Sequence, residues 1–189
     1  MERILSHQQA NNALLIGNPG SGRKRFIRDF ASRTALGECG NPLLNYKKVV
    51  ELDLTRLVAS VQTTQEAEAV LAQIFQEAMA AGNVILVIDE LHNFIGDSAS
   101  TTAGRLNIAG ILSSYLRMPQ FPFIAVTTFA GHHRYLEQNP SLLSLFQQVE
   151  LGELSMQETL SVLQEYVPGF EKTHKKFISF PALQAIVMS

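Results

Sequence analysis

The sequence predicts a doubly wound α/β fold built on a five-stranded parallel sheet. Two observations carry that prediction: short apolar runs alternate with stretches of helical spacing, and two of the runs end in residues suited to phosphate and metal chemistry. The first run, Ala13 to Ile16, ends in a glycine-rich turn. The run Val84 to Ile88 ends in the acids Asp89 and Glu90.

Taken in order, Ala13-Leu14-Leu15-Ile16 reads as the first strand. After the turn, Phe26, Ile27, Phe30 and Ala31 recur at helical spacing as far as Gly37. Val49-Val50-Glu51-Leu52 is a second short strand. From Gln65 to Ala81, the positions Ala67, Val70, Leu71, Ile74, Phe75 and Ala78 mark a helix that Gly82 closes. Val84 to Ile88 is continuously apolar, as a parallel strand covered on both faces must be, and is placed at the centre of the sheet. Asp97 to Gly104 reads as a flexible loop, followed by a helix through Leu106, Ala109, Ile111, Leu112 and Leu116. Phe123 to Thr127 is the fourth strand, Tyr135 to Leu145 a polar helical stretch, and Phe146 to Leu151 an edge strand. Ser155 with Glu158 matches a capping box that opens a helix to Tyr166, and Phe180 to Met188 is a further helix. The expected division is an α/β unit over 1–152 and the beginning of a helical unit over 153–189.

Composition narrows the function classes. A hydrophobic content of 46% over 189 residues is ample for a core, and a formal charge of −2 opposes a protein built to hold nucleic acid electrostatically. The lone Cys39 excludes an internal disulfide and suits a reducing compartment. Met1-Glu2-Arg3 is not followed by an apolar signal core, and no apolar run reaches the roughly 18 residues a membrane span needs. The expectation is a cytoplasmic protein that engages neither membrane nor nucleic acid.

A glycine-rich loop between a buried strand and a helix presents backbone N–H groups and a positive helix end to phosphates. Gly17, Asn18, Pro19, Gly20, Ser21, Gly22, Arg23 and Lys24 have that form. The complete motif ends in lysine, which reaches the outer phosphates, and then serine or threonine, which holds magnesium. Arg23 and Lys24 stand at those two places. The strand ending in Asp89 and Glu90 supplies the matching acids, the first of which helps to hold magnesium while the second polarises the attacking water.

From Asn11 onward the chain resembles the first ATPase domain of Clp-family unfoldases and disaggregases, which are P-loop proteins of the AAA+ class. The stretches that carry the resemblance are Asn11 to Gly17, Leu52-Asp53-Leu54 with Leu57-Val58-Ala59, Gly82 to His92, Ala125 to Thr128 and Phe146 to Val149. It implies an AAA+ sheet followed by a truncated helical lid. It also implies that Asp89 and Glu90, with Thr127 or Thr128 as the sensor that orients water, keep their catalytic chemistry. Three other elements depart from the family pattern. Arg23 and Lys24 replace the phosphate-loop lysine and threonine, Thr63 stands where a pore-loop aromatic grips substrate, and Ser144 and Leu145 stand where paired arginines reach a neighbouring subunit.

These departures set the functional expectation: a degenerate Clp-type domain with impaired hydrolysis, holding ATP or ADP weakly if at all, and structural or regulatory within a larger ATPase. An ammonium in place of a hydroxyl disfavours magnesium, and Lys24 is expected to pair with Asp89, either replacing the metal or closing an empty site. The partners implied are other Clp subunits or the remainder of the chain's own polypeptide, and protein substrates. The competing readings are an active ATP-hydrolysing domain in which Arg23 does the work of the lysine, and an adaptor or inhibitor that caps Clp rings. No metal site is expected: His132-His133 reads as a surface pair, and Lys172, His174, Lys175 and Lys176 as a solvated turn. Since the resemblance places an adenine-covering segment before Met1 and more of the lid after Ser189, the chain reads as a fragment.

Overall fold

The computed structural model of the chain describes residues 1–7, 11–95, 108–118 and 121–188. The strands are β1 (Asn12–Gly17), β2 (Lys48–Glu51), β3 (Val84–Ile88), β4 (Phe123–Thr127) and β5 (Gln147–Leu151). The helices are α1 (Glu2–Leu5), α2 (Arg23–Leu36), α3 (Leu54–Ser60), α4 (Thr64–Ala81), α5 (Ile108–Leu116), α6 (Phe129–Gly131), α7 (Pro140–Leu143), α8 (Met156–His174) and α9 (Phe180–Met188). All five strands join one parallel sheet in the order β2-β3-β4-β1-β5. The predicted five-stranded α/β fold is therefore present. The central strand, however, is β4 and not β3. Continuous apolarity reports cover on both faces, a property shared by β1, β3 and β4, and so does not rank them by position.

Alternation along each strand divides the interior in two. Leu14 and Ile16 of β1, Leu86 and Ile88 of β3, and Phe123 and Ala125 of β4 share one core with α3, α4 and α5. On α4, Ala67, Leu71 and Phe75 recur every four residues and are fully buried, and Phe75 meets Tyr115 and Phe121 edge-on at centroid distances of 5.0 and 5.3 Å. Ala13 and Leu15, Ile85 and Val87, and Ile124 and Val126 point the other way, onto Ile4 and Leu5 of α1 and Phe30 of α2.

Asn12 ties the two ends of the first core together. Its Nδ2 donates to the carbonyls of Leu116 at 2.7 Å and Leu145 at 3.1 Å, and the residue is 1% exposed.

Three helical expectations are corrected. The stretch from Tyr135 to Leu145 is a π-helical turn over His132–Leu136 followed by the short α7, because Pro140 removes an N–H and restricts Asn139, which adopts φ −119° and ψ 66°. Helix α8 runs past Tyr166 and through Pro168 to His174. Gln164, Glu165 and Tyr166, just before that proline, are exposed, so water is at hand for the carbonyl it frees. Lys172 and His174 thus lie in the helix, and only Lys175, at φ 51°, turns the chain out of it. The loop expected over 97–104 and the helix position Leu106 lie outside the described residues.

The chain divides into two compact units, Met1–Leu151 and Gly152–Ser189. In the second, the capping box forms as predicted, with Ser155 Oγ accepting from Glu158 N–H and Glu158 accepting from Ser155 N–H. α8 and α9 pack on each other, and Ile178 N–H donates to Glu171 Oε1 at 2.9 Å. Among the described residues no helix is long and apolar enough to cross a membrane.

Candidate functional site

Strand order decides what meets at the carboxyl edge of the sheet. β3, β4 and β1 are successive neighbours, with Ile88 opposite Ala125 and Ile16 opposite Thr127. Residues distant in sequence, Gly17 to Lys24, Asp89 to His92 and Thr127, therefore leave the sheet side by side, at the edge where open α/β sheets bind ligands.

The loop after β1 depends on its glycines. A Cβ on Gly17 would lie 2.6 Å from Ser21 Oγ and 3.1 Å from Leu151 Cβ, so a side chain there would push the loop off the strand. Gly20 and Gly22 take φ of 89° and 87°, the left-handed region that favours glycine. Gly22 is the N-cap of α2, and its carbonyl accepts from Phe26 N–H at 2.8 Å. The first turn of α2 thus opens onto the loop with its positive dipole end.

Arg23 and Lys24 take different directions. The Arg23 side chain is 11% exposed, and its Nη2 donates to Glu90 Oε1 at 2.9 Å. Lys24 is 81% exposed, with its Nζ 3.9 Å from Asp89 Oδ2, the outer limit of an ion pair. Asp89 Oδ1 accepts from Glu90 N–H at 2.9 Å, and Glu90 adopts φ 52° and ψ 38°, a left-handed conformation uncommon outside glycine. The expected pairing of Lys24 with Asp89 is present at 3.9 Å, and a shorter ion pair joins Arg23 to the neighbouring acid, Glu90. An arginine is longer than a lysine and ends in a planar fork, so from the same backbone position it reaches past the loop to the second acid.

His92 is a residue that periodicity alone does not single out. A single 3-10 turn after Glu90 brings its Nε2 within 3.4 Å of Glu90 Oε2 and its Nδ1 within 3.0 Å of Thr127 Oγ1. Burial pushes its pKa down, against a smaller upward pull from the Glu90 carboxylate. The Thr127 hydroxyl shares a hydrogen bond with Nδ1, whose direction follows the ring tautomer, and also donates to the Thr128 carbonyl at 3.3 Å. Tyr135 stacks on His92 at a centroid distance of 6.2 Å. The neighbouring Thr128 is differently engaged: its Oγ1 accepts from Gly131 N–H at 2.9 Å and caps α6.

Two buried polar atoms at the loop, Ser21 Oγ and Arg23 Nη1, have no hydrogen-bond partner. Orphaned donors beside an open helix end suit an anionic ligand such as a nucleotide phosphate, which Gly20 to Lys24 would hold through backbone N–H groups and the Arg23 fork. A cleft of about 230 Å³ adjoins them, lined by Arg23, Lys24, Arg28, Glu51, Asp89 and Val87 among others. Magnesium prefers oxygen ligands, and the Lys24 ammonium, 3.9 Å from Asp89 Oδ2, supplies none.

The remaining singled-out positions lie elsewhere. Thr63 caps α4, its Oγ1 accepting from Glu66 N–H at 3.2 Å. Ser144 Oγ donates to the Ser141 carbonyl at 3.0 Å, while Leu145 packs on the first core. The His132-His133 surface pair needs correction: His132 is 7% exposed, because the π-helical turn directs it inward, and only His133 faces solvent.

Residues 13–150 match the family of ATPases associated with various cellular activities, AAA. The chain belongs to the AAA family. Within the family it is similar to Clp proteins. It is 37% identical over 183 residues to an ATP-dependent Clp protease ATP-binding subunit ClpA homolog of Guillardia theta, a match covering 97% of this chain and 22% of that protein. It is 33% identical over 185 residues to the chaperone protein ClpB of Helicobacter hepaticus, covering 98% of this chain and 21% of that one. Among solved structures it superposes on the S. cerevisiae Hsp104-ADP complex with a TM-score of 0.83 and 27% identity, over 97% of this chain and 25% of the other. A closed-state Hsp104 structure with ATPγS and FITC casein matches with the same TM-score at 26% identity. This AAA chain spans about a fifth of the length of the Clp relatives it matches.

Proposed function

We propose that this AAA chain is a Clp-type module that holds nucleotide weakly, hydrolyses it poorly, and serves a structural or regulatory role within a larger unfoldase or disaggregase. The observation that carries this reading is the Arg23–Glu90 ion pair at 2.9 Å. The acid that would polarise the attacking water is held by a largely buried guanidinium, and the adjacent Lys24 offers no hydroxyl for magnesium. Glu90 Oε1 then accepts from the guanidinium at 2.9 Å, which occupies an oxygen that would otherwise accept from the attacking water. The absence of an arginine at Ser144 and Leu145 points the same way, because loss of an arginine finger lowers related phosphoryl-transfer rates by about 10³-fold or more. Likeness to nucleotide-bound Hsp104, in one case with casein, supports ATP or ADP as the ligand class and Clp-type subunits and protein chains as partners.

The test is the pair Arg23→Lys with Lys24→Thr, which restores the usual motif ending. Calorimetry with ATP and magnesium is expected to give weak or no binding for the native chain and a gain of at least tenfold for the double variant. Native-chain binding and hydrolysis matching an ordinary Clp ATPase domain would overturn the proposal, as would a double variant with no gain.

A further inference from the structure

The π-helical turn His132–Leu136 gathers three metal-binding side chains outside the nucleotide site. Glu137 N–H donates to the His132 carbonyl at 3.0 Å, closing the wide i to i+5 turn. In an α-helix, residues five apart lie about 140° apart around the axis. The wider turn narrows that angle. His132 Nδ1 accordingly lies 3.4 Å from Glu137 Oε1, and His133 Nδ1 lies 2.8 Å from the same oxygen. The two imidazole rings meet at 74°, and all three donor atoms fall within 4.8 Å of one another.

We infer that His132, His133 and Glu137 form a site for a divalent transition metal of the zinc class. A tetrahedral zinc ion with bonds of about 2.0–2.1 Å holds its donors roughly 3.3 Å apart, against 3.4 Å from His132 and a hydrogen-bonded 2.8 Å from His133 to the Glu137 oxygen. Two imidazoles and one carboxylate are ligands that zinc accepts and that calcium or magnesium, which prefer all-oxygen sets, do not. His132 is anchored in the protein while His133 is 68% exposed, so the ion has an entry path and an open fourth position for water. The other nitrogen of His132, Nε2, is buried without a partner, leaving Nδ1 as the ring's one polar atom that faces the cluster. This site is independent of the nucleotide reading.

The experiment titrates zinc chloride into the untagged chain by calorimetry and records the visible spectrum with cobalt(II) in its place. One equivalent is expected to bind with a Kd in the micromolar range or tighter, with tetrahedral cobalt absorption. His133→Ala and Glu137→Gln, both at exposed positions, should each weaken binding at least tenfold, while Cys39→Ser should leave it unchanged. No zinc heat beyond dilution, an octahedral cobalt spectrum, full affinity in both variants, or loss confined to the Cys39 variant would each overturn the assignment.

Discussion

Replacing Lys24 by threonine should convert nucleotide binding from magnesium-indifferent to magnesium-dependent. The Lys24 ammonium lies 3.9 Å from Asp89 Oδ2, the oxygen best placed to ligate the metal. A magnesium ion about 2 Å from that oxygen would lie about 4 Å from the ammonium when the angle at the oxygen is about 90°. With Lys24 81% exposed, a water-like dielectric is appropriate, and a double charge against a single one at 4 Å gives about 2 kcal/mol of repulsion, close to 30-fold in affinity. Threonine removes the repulsion and supplies a hydroxyl ligand, so 30-fold is the lower expectation at low salt, shrinking as ionic strength rises. The assay is fluorescence polarisation of a labelled ADP, titrated in magnesium and again in EDTA. The native chain should give nearly equal dissociation constants, and Lys24→Thr should bind at least about 30-fold tighter with the metal. Equal magnesium-to-EDTA ratios in the two proteins would show that Lys24 does not govern the metal site.

Two further outcomes follow from other parts of the molecule. Asn12→Ala removes the donor that two buried carbonyls share and should destabilise the first unit by about 2–4 kcal/mol, read as a fall in thermal midpoint of roughly 5–10 °C; an unchanged melt would mean that water replaces the amide. The lowered pKa of His92 makes its contribution to stability complete above its ordinary value of about 6.5 and progressively lost as pH falls below it, because the unfolded ring binds protons more readily than the folded one. Urea midpoints between pH 7.5 and 5 should thus fall more steeply for the native chain than for His92→Gln, and parallel curves would exclude His92 as the titrating group.

Much of the candidate site was legible because its residues are local in sequence. Gly17 to Lys24 lies on one strand-to-helix turn and Asp89-Glu90 on one strand end, and continuous apolar runs mark both strands as buried. Departures at Arg23, Lys24, Ser144 and Leu145 are likewise matters of residue type. What remained hidden depends on strand order and side-chain reach. The partnership of Arg23 with Glu90 bridges residues 67 apart, and a lysine-for-hydroxyl reading drew attention to the exposed neighbour. The inward turn of His132 follows from a π-helical register, which no ordinary helical or strand periodicity encodes.

By itself, then, the chain's order of apolar runs, glycines and acids determined the α/β class, the phosphate-type loop and the altered ending at Arg23-Lys24. Only the tertiary structure placed β4 between β3 and β1. That placement sets Thr127 beside His92, which in turn meets Glu90, and brings the loop against the acids. Apolar patterning specifies which faces must be covered, whereas hydrogen-bonded neighbours among equally apolar strands are chosen by packing of the whole sheet and its helices.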